Sequence, residues 1–150
     1  MPAELLLHDF LQSKGYQPIP LERSKYGSLR IKGRLGRKEV VLLLDTGASH
    51  TVIDLAFAKK AKLEMALSSQ MGGGIGTTTA QLHRLKLREF TLIDFHVSDL
   101  ELLAMDLGIS NEAFKNDEDA PSDGILGTDF LKKYTAIIDY ETAYLYVKPD

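Results

Sequence analysis

The sequence contains no cysteine. Without cysteine the chain can form no disulfide framework, and it offers neither a thiolate metal ligand nor a cysteine nucleophile. The absence of cysteine fits a reducing compartment, so we expect a cytoplasmic protein.

Long apolar runs are also missing. No run approaches the roughly 20 residues that a helix needs to span a bilayer. The N-terminus, MPAELLLHDFLQSKG, has no positive charge ahead of its apolar residues, and the apolar run ends after Leu7. A secretory signal needs both a positive start and a longer apolar run. The sequence therefore predicts a soluble intracellular protein with no membrane partner.

The chain has little net charge, formally −3. The total charge therefore provides no strong attraction to nucleic acid. Arg30, Lys32 and Arg34 do form a basic strand face. No aromatic residues interleave with these charges, as they do in proteins that stack single-stranded bases. We therefore predict no nucleic-acid partner.

The sequence indicates no metal or phosphate site. His50 and Asp54 have a ligand-like helical spacing, whereas the other histidines are scattered: His8, His83 and His96. The glycine-rich segment 72–76 is not followed by the Gly-Lys-Ser/Thr of a phosphate-binding loop. We therefore predict no metal ion and no cofactor.

The length of 150 residues is enough for one domain with a sizeable core. No internal repeat or linker interrupts the sequence. Residues 1–25 are predicted to form a short helix over 3–13 and an extended lead-in over 17–20, because apolar residues recur four apart and prolines disfavour helix. Residues 26–150 are predicted to form the main domain.

A predicted hairpin leads to the most informative part of the chain. Alternating apolar and basic residues over 29–35 predict a strand that is buried on one face. Gly36 and Arg37 make the turn. Residues 40–44 are apolar throughout, which is typical of a strand buried on both faces. This strand leads directly to Asp45.

The remaining pattern predicts more strands than helices. Asp54 is a candidate helix N-cap. Residues 104–121 are predicted to form a long polar loop with room for one helical turn. The other predicted elements are a helix over 54–64, strands over 77–87, 90–97 and 123–127, a helix over 129–134, and a last hairpin of 135–139 with 143–147. The predicted fold class is therefore all-β, with one or two short helices and an extra N-terminal helix.

The candidate for chemistry is the loop Asp45-Thr46-Gly47-Ala48. A carboxylate at the end of an apolar strand is costly to bury unless it is hydrogen-bonded or paired. The three small residues after Asp45 let backbone N–H groups approach it. Taken alone, the pattern indicates either a carboxylate held for catalysis or a turn in which Asp45 only caps the backbone.

Two further motifs favour catalysis. The first is a glycine-rich segment that consists of Gly72, Gly73, Gly74, Ile75 and Gly76. The second is a short apolar strand that consists of Ile125, Leu126 and Gly127. In this order and spacing the three motifs resemble the retropepsin-like family of aspartic proteases, and most of all its cellular and bacterial members. The resemblance covers roughly residues 26–148.

The resemblance implies a retropepsin-like acid protease barrel and a homodimer that cuts an extended peptide or protein substrate. It implies that Asp45 is the catalytic carboxylate, that Thr46 hydrogen-bonds across the dimer, and that the Gly47 backbone joins the carboxylate network. It implies substrate contacts from Ala48 and from a flap tip made of Gly72, Gly73, Gly74, Ile75 and Gly76. Ile125, Leu126 and Gly127 would support the active-site loop from behind.

The sequence departs from the viral members at the predicted dimer interface. Viral members usually have an acidic residue where Ser49 stands and an arginine where Thr128 stands, and the two form an ion pair. Both partners are missing here. The bulky apolar flap tip of the viral members is missing as well. These departures concern the dimer contacts and flap closure more than the chemistry.

Two alternatives remain open from the sequence. Asp123 is a second candidate carboxylate that could pair with Asp45 within one chain, although an Asp-Gly pair commonly just forms a turn. The chain could also keep the fold as a peptide-binding or dimerisation module without turnover. Because the chain has a single Asp-Thr-Gly, a two-fold homodimer is the simplest way to bring two catalytic carboxylates together.

Overall fold

The structure is a computed structural model that describes residues 3–72, 80–87, 89–109 and 116–150. Strands predominate, which confirms the predicted all-β class. The elements in chain order are α1 (Ala3–Ser13), β1 (Gln17–Pro20), β2 (Glu22–Arg23), β3 (Leu29–Leu35), β4 (Lys38–Leu44), β5 (Val52–Asp54), α2 (Leu55–Lys60), β6 (Met65–Gly72), β7 (Ala80–Leu85), β8 (Phe90–Leu92), β9 (Phe95–Val97), β10 (Leu103–Met105), β11 (Gly124–Leu126), α3 (Thr128–Lys133), β12 (Ile137–Asp139) and β13 (Tyr144–Val147).

The large sheet curls into a half-barrel around the core. Its strand order is β6-β7-β10-β5-β11-β4-β3-β8-β9, and β2 pairs with β3. Most neighbours are antiparallel, but β11 runs parallel to β4 and β10 runs parallel to β5. The largest fully buried side chains come from both halves of the chain and include Ile31, Leu42, Leu126, Phe130 and Tyr134. The core therefore holds the β4–β11 pair in the middle of the sheet.

The N-terminal segment is built into a second, three-stranded sheet of order β1-β13-β12. Strand β1 pairs antiparallel with β13, so that Gln17 lies opposite Val147. Helix α1 lies close to this sheet: Leu11 is buried, and His8 Nδ1 is 3.0 Å from the hydroxyl of Tyr146. The domain boundary at residue 25 stays a prediction.

Strand β4 is not buried on both faces, and this part of the sequence prediction was wrong. Val40 and Leu42 are buried, whereas Val41, Leu43 and Leu44 are only half-buried. The physical reason is that only one face of β4 packs on the core of this chain. Val41 instead lines a shallow cavity of about 230 Å³ on the other side.

Helix α2 is shorter than the predicted span of 54–64. Asp54 caps its N-terminus as predicted, because the carboxylate accepts a hydrogen bond from Phe57 N–H. The helix ends at Lys60, since Lys62 adopts a left-handed conformation with φ of 58°. The N–H of Lys62 bonds to the carbonyl of Lys59 and that of the next residue to Ala58, which is a Schellman ending.

The strands and the loop in the second half also differ in detail from the prediction. The segment 90–97 is two strands, β8 and β9, separated by a turn at Ile93 with φ of 54°. The predicted loop 104–121 begins inside strand β10. Residues 77–79, which the sequence assigned to a strand, lie outside the described residues. Within the described ranges, no helix is both long and apolar enough to cross a bilayer.

The end of the long polar loop predicted over 104–121 docks on the turn between β2 and β3. The carboxylate of Asp119 accepts hydrogen bonds from the hydroxyls of Ser24 at 2.6 Å and Ser28 at 2.5 Å. The Arg30 guanidinium also donates to the backbone carbonyls of Glu118 and Ala120. These bonds fix the segment that leads into β11.

The docking should be visible in the titration of Asp119. The hydroxyls of Ser24 and Ser28 hold the pKa of Asp119 below its ordinary value of 3.8. We expect the double substitution Ser24→Ala and Ser28→Ala to raise this pKa, because the hydrogen bonds that favour the ionised form are removed. NMR titration of the Asp119 carboxyl carbon measures the change, with Ser122→Ala as the control. An unchanged midpoint in the double variant would contradict the docking.

Candidate active site

The parallel pair β4 and β11 positions Asp45. Leu126 lies opposite Leu44 in the register of the two strands. One residue further on, the N–H of Asp45 donates to the carbonyl of Leu126 at 3.1 Å. Asp45 therefore directly follows the last residue of the apolar strand β4. Its backbone is fixed by β11, the strand that the sequence analysis predicted to support the loop.

The turn after Asp45 holds its carboxylate at the surface. Gly47 N–H donates to Asp45 Oδ1 at 2.8 Å, and Ala48 N–H donates to the Asp45 carbonyl at 3.2 Å. Asp45 is half-buried, and Thr46 and Gly47 are exposed in the single chain. The carboxylate is thus hydrogen-bonded on one side and accessible to a reactant or a second chain on the other.

Gly127 allows the loop that follows Asp45 to lie directly against the end of β11. A Cβ at this position would lie 2.5 Å from the carbonyl oxygen of His50 and 2.9 Å from that of Ala48. Real Cβ atoms do not approach backbone this closely, so a larger residue would push the loop away. Of the predicted support residues, Leu126 and Gly127 contact the loop backbone, and Ile125 lies opposite Leu43 on β4.

Asp129 and Thr51 bond to each other at the end of the loop that carries Asp45, although the sequence analysis did not select them. The Asp129 carboxylate accepts hydrogen bonds from Thr51 N–H at 3.0 Å and from the Thr51 hydroxyl at 2.8 Å. Thr51 is fully buried. The sequence offered only a weak signal for this pair, namely a polar residue after the Asp45 loop and another after β11. Nothing in the local sequence shows that residues 78 positions apart meet.

The two positions where viral members have an ion pair do not interact through their side chains in this way. The Ser49 hydroxyl lies 2.9 Å from His50 Nδ1, and both residues are exposed. Thr128 instead donates its backbone N–H to the carbonyl of Ala48 at 2.8 Å. At these two positions, the loop is joined to the start of α3 by a backbone hydrogen bond rather than by a charge pair.

The predicted flap can be followed only in part. Gly72 ends strand β6 and lies opposite Ala80 of β7, so the two strands form an antiparallel pair. Gly73, Gly74, Ile75 and Gly76 lie outside the described residues. Their assignment to a flap tip stays a prediction, as does the assignment of Ala48 to substrate contact.

Asp123 lies at the far end of β11 from Asp45. Its N–H donates to the carbonyl of Val41 at 2.9 Å, and its carboxylate accepts from Val41 N–H at 2.8 Å. Asp123 is therefore opposite a residue four positions before Asp45, and a rise of about 3.3 Å per residue separates the two acids by roughly 13 Å. This separation disfavours Asp123 as the partner of Asp45 within one chain.

Burial gives Asp123 a distinct pH signature. Desolvation raises its pKa above the ordinary 3.8, against the hydrogen bond from Val41 N–H, which lowers it. An acid with a raised pKa in the folded state stabilises the fold below its unfolded pKa, and this contribution is lost as the pH rises through the folded pKa. The substitution Asp123→Asn removes the titration. We therefore expect the melting temperature of the variant, relative to the native chain, to rise between about pH 3.5 and pH 7.

Thermal unfolding followed by circular dichroism measures this difference across the pH range. The control is Asp94→Asn, which changes an exposed aspartate in the turn between β8 and β9. A difference for Asp123→Asn that stays constant with pH, or that falls as the pH rises, would show that the burial of this carboxyl does not couple to folding.

Solved structures of similar fold point to one architecture. A retropepsin-like aspartic protease from Rickettsia conorii matches with a TM-score of 0.54 and 16% identity, over 88% of this chain and 90% of the other. The retroviral protease-like domain of Ddi1 from Leishmania major matches with a TM-score of 0.55 and 16% identity, over 82% and 90%. EIAV protease, complexed with the inhibitor HBY-793, matches with a TM-score of 0.53 and 18% identity, over 75% and 92%.

Sequence comparison gives the family. Uncharacterized protein 7 of soybean chlorotic mottle virus is 28% identical over 122 residues, which cover 81% of this chain and 73% of the viral protein. The sequence pattern of the aspartyl protease family matches residues 28–130, most of the chain. The match includes Asp45 and extends through the β11 strand into α3. The chain belongs to the aspartyl protease family, and its fold is retropepsin-like.

Proposed function

We propose that the chain is an aspartic endopeptidase in which Asp45 and the same residue of a second copy form the catalytic pair. The observation that carries the proposal is the local geometry of Asp45. Its backbone is fixed by Leu126, its carboxylate is held by Gly47 N–H at 2.8 Å, and it remains half-exposed. A carboxylate that only capped a turn would not need this support from a distant strand.

The chemistry requires two carboxylates at close range. Like charges so close together cannot both ionise, so the pair shares one proton. The ionised member acts as a general base on a water molecule, and the protonated member polarises the peptide carbonyl. The water oxygen forms a bond to the carbonyl carbon, the C–N bond breaks, and a proton passes to the leaving nitrogen.

A second copy is the proposed source of the second carboxylate. The chain has one Asp-Thr-Gly, and the two acids that flank β11 in the sequence are engaged elsewhere: Asp123 with Val41, and Asp129 with Thr51. Thr46 and Gly47 are exposed in the single chain. An isologous contact between two such loops would bring each Asp45 next to its copy.

The proposed substrate is an extended peptide or an extended segment of a protein. A cleft between two half-barrels suits a strand-like substrate, whose backbone can hydrogen-bond to the walls. The predicted flap, from Gly72 to Gly76, would close over it. Because the chain contains no cysteine, we propose that it works in a reducing compartment such as the cytoplasm.

Cleavage of a diverse peptide mixture tests the proposal. Peptides are incubated at about pH 4 to 7 with the native chain, with Asp45→Asn or with Asp123→Asn, and products are read by mass spectrometry. We expect cuts with the native chain and with Asp123→Asn, and none with Asp45→Asn. All three proteins are first shown to be folded by circular dichroism.

The same experiment separates the proposal from its alternatives. Cuts that survive in Asp45→Asn would show that another group is responsible. No cuts by the folded native chain at any pH would favour a binding or dimerisation module without turnover. Loss of activity in folded Asp123→Asn would reopen the pairing of two acids within one chain.

A pair of glycine substitutions separates loop placement from general stability. A Cβ at Gly127 would lie 2.5 Å from the carbonyl oxygen of His50, and a Cβ at Gly33 would lie 2.5 Å from that of Thr91. We expect Gly127→Ala and Gly33→Ala each to cost about 1–3 kcal/mol of unfolding free energy, because both overpack buried backbone. Only Gly127→Ala should also lower kcat, since its clash displaces the loop that carries Asp45.

Urea unfolding and peptide cleavage, both at a temperature where the variants are folded, measure the two effects. Native kcat values in both glycine variants would mean that the contact at Gly127 supports the fold without fixing the loop. A loss of kcat in Gly33→Ala as large as in Gly127→Ala would attribute the effect to general destabilisation.

A further inference from the structure

We propose that Thr51 and Asp129 are positioning residues that fix the loop carrying Asp45, and that turnover depends on this pair. The inference rests on the proposed function, because it assigns a role in the reaction of Asp45. Thr51 is fully buried and the Asp129 carboxylate is bonded to it, so we assign neither side chain a contact with the substrate. They act on residues 45–51, the segment that connects β4 to β5.

The Asp129 carboxylate is hydrogen-bonded to Thr51, the last residue of this segment. It lies in the first turn of α3. One oxygen accepts from Thr51 N–H at 3.0 Å, and the other accepts from the Thr51 hydroxyl at 2.8 Å and from Phe130 N–H at 2.8 Å. Hydrogen bonds to an ionised acceptor are stronger than neutral ones, so one carboxylate joins the loop end firmly to the helix.

Thr51 also connects the Asp129 carboxylate to the end of β11. Its hydroxyl donates to Asp129 and accepts from Gly127 N–H at 3.1 Å. Thr51 is fully buried, with no exposed surface. Its hydroxyl is therefore a buried junction between the loop, the end of β11 and the start of α3, and water cannot replace it without entering the core.

The segment 45–51 is consequently held by hydrogen bonds at both ends and at one point between them. At the first end Asp45 N–H bonds to the Leu126 carbonyl, and in the middle Thr128 N–H bonds to the carbonyl of Ala48. At the last end the fixed point is the Thr51–Asp129 pair. The exposed part between these points contains Thr46 and Gly47, the residues that would meet a second copy.

The reaction needs such fixation. Two carboxylates must sit close enough to share a proton and a water molecule, and a misplacement of about 1 Å can cost roughly 100-fold in rate. Loss of the Thr51 hydroxyl would leave Gly127 N–H without its buried acceptor and Asp129 with one donor fewer. We expect the loop to shift or to gain freedom, which moves Asp45 relative to its copy.

Three threonine variants test the inference. Thr51→Val keeps the shape of the side chain but removes the hydroxyl, and Thr51→Ser keeps the hydroxyl. The matched control is Thr91→Val on β8, a half-buried threonine separated from β11 by two strands of the sheet. For each folded variant, kcat and KM are measured separately on one cleaved peptide, and amide hydrogen exchange is measured over residues 45–51.

We expect Thr51→Val to lower kcat by about 100-fold with KM changed by less than about threefold. Thr51→Ser should keep kcat within about threefold of the native value, and Thr91→Val should behave like the native chain. Among the three threonine variants, only Thr51→Val should exchange the amides of residues 45–51 faster than the native chain. Asp129→Asn should follow Thr51→Val, because an amide offers one acceptor oxygen where the carboxylate offers two.

Native kcat in Thr51→Val at reduced thermal stability would overturn the inference, since the pair would then support only the fold. Equal losses in Thr51→Val and Thr51→Ser would also overturn it, because the hydroxyl would not be the cause. The exchange measurement needs no activity. If the native chain cleaves nothing, faster exchange in Thr51→Val but not in Thr51→Ser or Thr91→Val still supports the fixation of the loop, and unchanged exchange in Thr51→Val refutes it.

Discussion

The parallel pairing of β4 with β11 is the constraint on which the site depends. It places Leu44 opposite Leu126 and continues into the hydrogen bond from Asp45 N–H to the Leu126 carbonyl. Parallel neighbours require a long crossover connection, and here 79 residues lie between the end of β4 and the start of β11. The loop that carries the candidate carboxylate is therefore held by residues that are remote in sequence, which a simple capped turn would not be.

The sequence predicted the features that are encoded locally. The N-terminal helix, the N-cap at Asp54, the hairpin of β3 and β4 and the apolar strand β11 each have a short pattern of their own. The Asp-Thr-Gly-Ala loop and the Ile-Leu-Gly strand are also local, so their likeness to the retropepsin-like family could be recognised before the fold was known. The family match and the fold confirm that likeness.

What the sequence did not predict depends on long-range contacts. The pairing of β1 with β13 joins the two ends of the chain, and the bond between Thr51 and Asp129 spans 78 positions. The half-buried face of β4 was also missed, because an apolar run looks the same whether its second face meets the core of its own chain or lies open. That open face and the exposed Thr46 and Gly47 are consistent with a site that is completed from outside the chain.

The central claim is that two copies of Asp45 make one site, and mixing experiments test it most directly. Native chain at fixed concentration is equilibrated with increasing Asp45→Asn chain, and cleavage of one peptide is measured at each ratio. If the site is shared, native activity falls as mixed dimers form, to roughly one tenth at a ninefold excess under random pairing. Activity that stays proportional to the native chain alone, whatever the excess of Asp45→Asn, would show that one chain carries the whole site.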